Sequence, residues 1–373
     1  MRMDTPVSAS RTAHTTPDIH QIPDAVRGVL SDFLEGRRSK VAKIGEPVTR
    51  AVSYLEDFVL GGGKRIRPLY AWAGFVGAGG LEGPEDPQAV LRAVSSLEFI
   101  QACALIHDDI IDSSATRRGN PTLHRAVASA HQEQNFAGLA DHFGMSVAIL
   151  VGDMALVWAE DMLRNSGVSA DALARLNRPW AGMRTEVIGG QILDISLEAS
   201  GDESVQLANN VNRFKTAAYT IERPLHLGAA IAGASPEVIR AFRGYGRDIG
   251  IAYQLRDDLL GVFGDPAITG KPAGDDLREG KRTVLLALAL ERADAHDPQA
   301  AAALRAGVGH TQDPAELARL AQIIRDTGAP DEVEARITEL TTSGLAQLET
   351  AELSPTVTSV LKDLAIRSTE RRS

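Results

Sequence analysis

A chain of 373 residues that is 44% hydrophobic and 24% charged holds ample material for one large core and does not require two domains. A formal net charge of -10 speaks against general binding along a nucleic-acid backbone, which needs a concentrated basic face. The lone cysteine, Cys103, rules out an intramolecular disulfide framework and a thiolate zinc site, and a reduced, cytoplasmic setting is expected.

Aromatic residues are 5% of the chain while Ala and Leu abound, so the expected fold class is all-α, with a core of interdigitating aliphatic side chains. Residues 1–23 are rich in Thr, Ser, Pro and His and lack the apolar stretch of a signal peptide. A disordered tail over 1–24 and a single helical domain over 25–373 are expected. From Ala25 onward, apolar residues recur every three or four positions, with breaks at 61–63, 79–87 and 113–121.

Residues 88–112 carry apolar side chains on most faces with no Pro or Gly, which predicts one long buried helix closed by three aspartates. Further helices are expected over 143–163, 170–197, 207–232 and 236–263, with Pro179 and Pro224 kinking or dividing two of them. A glycine- and charge-rich loop, 264–281, precedes helices broken near Asp297, Asp313 and Pro330. No strand is expected. The longest aliphatic run, 284–290, falls far short of the ~20 residues that span a bilayer, so no transmembrane segment is expected.

Two apolar helices lead into acid: one ends in Asp108, Asp109 and Asp112, the other in Asp257 and Asp258. On a helix Asp108 and Asp112 share a face, while Asp109 turns about 100° away. Such a cluster read alone is a solvated helix end. At the end of a helix apolar all round it opens more naturally into a cavity, where the charge needs a cation, and hard oxygen ligands favour magnesium carried with phosphate. Asp108 and Asp112 are expected to hold two magnesium ions and Asp257 a third, with Asp109 and Asp258 in support. Gly261 stands where the same-face partner of Asp257 would be, so the second cluster should hold metal more sparsely.

Cations accompany both clusters. Gly61-Gly62-Gly63 before Lys64, Arg65 and Arg67 places backbone N–H groups and three positive side chains at a helix start, an anion pocket without the spacing of a nucleotide P-loop. Arg117 and Arg118 follow the first cluster, Lys215 and Thr216 lie on a later helix, and Lys271 follows the second cluster. Singly each cation reads as a surface residue; together they describe a site for diphosphates bridged by magnesium.

In this order, Gly62-Gly63-Lys64-Arg65-Ile66-Arg67-Pro68, Asp108-Asp109-Ile110-Ile111-Asp112 with Arg117-Arg118-Gly119, Gly190-Gln191, Lys215-Thr216, the stretch from Gln254 to Asp258, and Gly270-Lys271 resemble the trans-isoprenyl diphosphate synthases. The resemblance is strongest to geranylgeranyl diphosphate synthases of the actinobacterial type. It implies a single-domain helical bundle around a central cavity and a homodimer. It also implies a magnesium-dependent condensation: the allylic C–O bond ionises, the alkene of isopentenyl diphosphate attacks the cation, and the released diphosphate takes the proton. Lys64, Arg67, Gln101 and Arg118 would hold isopentenyl diphosphate, and Arg117, Lys215 and Lys271 the allylic diphosphate. Gln101 stands where many relatives carry His. Lys215, Thr216 and Gln254 would position the leaving group.

Cys103 and Ala104, one turn before Asp108, would line the tunnel for the growing chain without blocking it, with Ile100, Met154 or Trp158 as its floor. Geranylgeranyl diphosphate is then the expected product, with farnesyl or longer polyprenyl diphosphates as alternatives. A class I terpene cyclase would not need Lys64, Arg67 and Arg118, and a non-catalytic partner subunit would have lost more of these residues.

Overall fold

The computed structural model describes residues 16–117, 119–265 and 273–370, which are helical over most of their length. A 3-10 turn, Ile19–Gln21, capped by Asp18, leads into α1 (Ile22–Ala42). Ile22, Val26, Leu30 and Leu34 form its buried stripe at four-residue spacing. Ile19 and Ile22, inside the segment expected as tail, are both buried.

Helices α2 (Glu46–Leu60) and α3 (Ile66–Gly77) follow. The helix expected over 88–112 is divided into α4 (Pro87–Ser95) and α5 (Leu97–Ile111). Ser95 and Ser96 donate their hydroxyls to the carbonyls of Leu91 and Ala93, side-chain bonds that compete with the regular ladder at the junction. Beyond α5, Thr116–Arg117 pairs antiparallel with Asn120–Pro121 around Gly119 at φ 79°, a two-residue ladder that no alternation announced.

Next come α6 (Leu123–Glu133), α7 (Ala140–Arg164), α8 (Ala170–Ser200) and α9 (Val205–Val211). Pro179 does not divide α8, which runs through it. Residues Asn212–Glu222 wind as a π-helix, and α10 (Arg223–Ala232) begins with Pro224 in its first turn. The change of winding falls where proline cannot donate to the preceding turn. The remaining helices are α11 (Pro236–Phe263), α12 (Asp275–Glu279), α13 (Val284–His296), α14 (Pro298–Gly307), α15 (Pro314–Asp326), α16 (Ala329–Gln347) and α17 (Pro355–Thr369). Asp297 and Asp313 cap α14 and α15, and Pro330 opens α16, as their spacing predicts.

Helix α11 threads two cores. Phe242, Tyr245 and Ile249 pack into the larger one, with α1 to α8, α10 and α17. Ala252, Leu255, Leu259 and Val262 pack into a second one with α9 and α12 to α16. The acidic C-terminal part of α11 thus sits beside the join, facing the π segment.

Among the described residues two stretches, Pro87–Ile111 and Ala140–Arg164, are long and apolar enough to cross a membrane, with mean hydropathies of 1.6 and 1.5 over an 18-residue window in each. Counting contiguous aliphatic residues missed both, since polar residues interrupt them. Of that window 72% is buried inside the fold in the first stretch and 39% in the second.

Candidate active site

The first acidic wall is the C-terminal end of α5. Asp109 is buried and takes Nε of Arg117 at 2.8 Å. Asp108 faces the interior, where Gln191 Nε2 donates at 3.1 Å, Lys215 Nζ lies at 3.3 Å and Arg117 Nη2 at 3.3 Å. Burial opposes ionisation of Asp108, but Lys215, Arg117 and Lys281 outweigh it and hold its carboxyl below the usual range. Asp112 closes α5 as its cap residue, and burial followed by the charge of Asp108 pushes it up to about 6.

Helix α8 brings two further acids that the motif reading passed over, in line with the Gln191 it named. Gln191, Asp194 and Glu198 recur at helical spacing on the face turned to the site. Lys215 Nζ reaches Asp194 at 2.6 Å, and burial, then Asp194 and Asp112, push Glu198 up to about 7. The spacing of these residues was visible in the sequence; their orientation toward the aspartates was not.

The π segment places Lys215 and Thr216 between the walls. Its backbone approaches its neighbours closely: a Cβ on Gly190 would lie 2.7 Å from Cα of Lys215, and one on Gly250 would lie 2.6 Å from Cβ of Ala217. Lys215 thereby reaches the first wall. Thr216 Oγ1 donates to Gln254 Oε1 at 2.7 Å, and Gln254 Nε2 donates to Asp258 Oδ1 at 2.8 Å, reaching the second.

At the second wall, Asp258 is 3% exposed and its Oδ2 makes no hydrogen bond; Asn212, near enough to favour the carboxylate, also leaves its Nδ2 without one. Burial, then Asp276 and Asp257, push Asp258 up to about 8. Lys281 supplies the cation here, with Nζ 2.7 Å from Glu279 and 3.7 Å from Asp276. It also acts electrostatically on Asp108 and Asp112, and despite burial its ammonium is held above the usual lysine range by Asp276 and Glu279. Lys281 and Asp276 lie at the far end of the loop in which the sequence reading named only Lys271.

Such crowding of carboxylates, three of them with elevated pKa and among them Asp258 with an unbonded buried oxygen, fits a site built to receive divalent metal. Among the described residues no three His, Cys, Asp or Glu side chains already converge as a ligand set. Arg117, Lys215 and Lys281 lie against these acids.

The glycine-rich corner is less uniform than its sequence. Gly62 and Gly63 have φ near +117° and +120°, and Lys64 beside them is exposed. Arg65 leaves the expected anion pocket: it is 6% exposed and is consumed by an ion pair with Glu98 and a hydrogen bond to the Val59 carbonyl. Arg67 bonds Thr220 Oγ1 at 3.0 Å, lies 3.9 Å over the Tyr219 ring and leaves Nε without a partner. Gln101 is half-buried on α5. Arg118 and Lys271 lie outside the described residues. Cys103 and Ala104 are half-buried, with Cys103 Sγ 3.7 Å from Nδ1 of His107, whose Nε2 lies 3.1 Å from the Ile149 carbonyl of α7.

The polyprenyl synthetase family profile matches residues 49–325. The chain belongs to the polyprenyl synthetase family. It is similar to the geranylgeranyl pyrophosphate synthase of Corynebacterium glutamicum, whose crystal structure was solved with isoprenyl diphosphate and magnesium. The two are 64% identical, covering 95% of this chain and 100% of that one, with a TM-score of 0.93. The geranylfarnesyl diphosphate synthase of Aeropyrum pernix is 35% identical over 74% of this chain and 79% of its own. The (2E,6E)-farnesyl diphosphate synthase of Mycobacterium tuberculosis is 29% identical over 83% of this chain and 80% of its own. This polyprenyl synthetase is therefore a prenyltransferase with the all-α isoprenoid synthase fold, of a family that takes allylic diphosphates and isopentenyl diphosphate and binds diphosphate with magnesium.

Proposed function

We propose that the enzyme extends an allylic diphosphate with isopentenyl diphosphate and stops at geranylgeranyl diphosphate, releasing diphosphate. One observation carries the placement of the reaction. Lys215 and Thr216, adjacent in sequence, reach opposite acidic walls: Lys215 contacts Asp108, and Thr216 contacts Asp258 through Gln254. A diphosphate between those walls meets donors on both sides.

Magnesium, when bound through Asp108, Asp112 and Asp257, supplies neutralisation of the diphosphate oxygens; three ions suit the two walls. The chain's own cations do the rest. Arg117, Lys215 and Lys281, which pair with Asp108, Asp109, Asp194 and Asp276, would hold the allylic diphosphate beside the metal. Lys271 joins them. Lys64, Arg67, Gln101 and Arg118 hold isopentenyl diphosphate, with Nε of Arg67 as a buried donor left for it. Thr216 and Gln254 hold the leaving group in line for cleavage.

Product length is set on α5. Burial pushes the Cys103 thiol up to about 11, so it presents a neutral wall at physiological pH. Cys103 and Ala104 are too small to close the tunnel, and its floor is Ile100 with Trp158, the latter packed edge-on against Phe99 at 6.2 Å. Each helical turn of about 5.4 Å admits roughly one isoprene unit.

We place this activity in the cytoplasm and in a homodimer. Helices α4 and α5, the most apolar stretch read from the sequence, are largely covered by the chain itself. The uncovered apolar face belongs instead to α7 and α8, where Leu150 is 65% and Ile192 60% exposed. The purified protein, given isopentenyl diphosphate, farnesyl diphosphate and magnesium, is expected to yield a twenty-carbon diphosphate by mass. Turnover without isopentenyl diphosphate would identify a cyclase, and no turnover alone a partner subunit.

A further inference from the structure

Residue 261 is one helical turn beyond Asp258 on the same face of α11 and four beyond Asp257, the position at which the second acidic motif lacks a third carboxylate. The space there is filled. A Cβ built on Gly261 would stand 2.8 Å from Oδ1 of Asp276 and closer still to its Cγ and Oδ2. Asp276 comes from α12, after the loop, and is 9% exposed.

Its placement is fixed by backbone. The Asp276 carbonyl accepts N–H groups from Gly280 at 3.1 Å and Lys281 at 3.0 Å, while Leu277 is anchored by burial and by Gly309 N–H at 2.8 Å. A second observation points to a cation at this place. Asp258, 3% exposed and one turn from the Gly261 position that Asp276 fills, leaves Oδ2 without a hydrogen bond.

We propose that Asp276 is the third carboxylate of the second metal wall, delivered from α12 to the point that a residue-261 side chain would occupy. The glycine is then a requirement of the arrangement: the slot holds one carboxylate, and a side chain at 261 competes with Asp276 for it. The second wall is as acidic as the first, contrary to its sparse appearance in sequence. This inference rests on the magnesium–diphosphate reading of the site.

The test uses four forms of the full chain: wild type, Asp276→Asn, Gly261→Asp, and the double variant Gly261→Asp with Asp276→Gly. Thermal unfolding is followed without metal, and magnesium-dependent binding of inorganic diphosphate is measured by titration calorimetry. Asp276→Asn should retain its Tm and bind diphosphate about 10- to 100-fold more weakly at fixed magnesium, the loss typical of removing a metal-supporting group. Gly261→Asp should lower both Tm and binding, and the double variant should recover both. Asp276→Asn binding as wild type, or Gly261→Asp tolerated without the second change, would overturn the inference. If wild type shows no magnesium-dependent diphosphate binding, the functional reading itself falls first, an outcome distinct from either.

Discussion

Asp108 is the residue on which most of the site converges, receiving Gln191, Lys215 and Arg117 at once. Asp108→Ala should leave Lys215 and Arg117 short of a counter-charge and remove a metal ligand. Turnover is expected to fall on the order of 10²–10³ in a steady-state assay at saturating magnesium, the scale for loss of one preorganised electrostatic group. The raised carboxyls of Asp112 and Glu198, about 6 and about 7, give a pH signature. Each binds its proton more tightly folded than unfolded. Between the ordinary carboxylate range near 4 and those values, the folded state carries more protons, so stability falls as pH rises. The metal-free protein should therefore lose Tm between about pH 4.5 and 7.5, and magnesium with inorganic diphosphate should flatten that slope. A metal-free Tm that rises across the window would contradict the assigned repulsion. Cys103→Phe, filling the tunnel wall beside His107, should shorten the product with diphosphate binding intact; an unchanged product distribution by reverse-phase chromatography would place the tunnel elsewhere.

At the scale of elements, the π segment is the part most exacting about its neighbours. Gly190 and Gly250 let its backbone lie against α8 and α11, and Lys215 and Thr216 depend on that seat. Gly190→Ala should force the segment away from α8, costing about 1–3 kcal/mol of stability by overpacking. Turnover should fall further than stability alone explains, because Lys215 moves with the backbone. Gly189→Ala is the control, since a Cβ there meets nothing within 4 Å. Equal behaviour of the two variants in thermal unfolding and turnover would remove the close-approach argument.

On the scale of the whole molecule, α7 and α8 each carry exposed apolar side chains. Leu139, Phe143, Leu150 and Val157 lie along one side of α7 and Ile188, Ile192 and Ile195 along α8, while Trp180 and Arg184 of α8 bond Glu160 of α7. Exposed apolar side chains in such number are the kind of surface a partner covers, and this is where the proposed dimer would form. Wild type is expected to sediment as a dimer at micromolar concentration, and Leu150→Asp with Ile192→Asp as a monomer. A dimer that survives both changes would locate the interface elsewhere.

The sequence by itself determined the helical class, most helix boundaries, and the two acidic motifs with their cations. Local periodicity, capping residues and charge spacing carry those facts, and none depends on distant contacts. It also exposed the missing acid at 261. What filled that gap was beyond it: Asp276 is fifteen residues away across a loop, and only packing of α12 on α11 brings its carboxylate to the slot. The same holds for Arg65, which reads as an anion ligand until Glu98, 33 residues on, claims it in the core. Asp194, Glu198 and Lys281 carry no short motif in this chain, and they come within electrostatic reach of the α5 aspartates only because α8 and the chain at 281 fold near them. Tertiary structure decided these points because burial and through-space charge, unlike helical periodicity, depend on which elements meet.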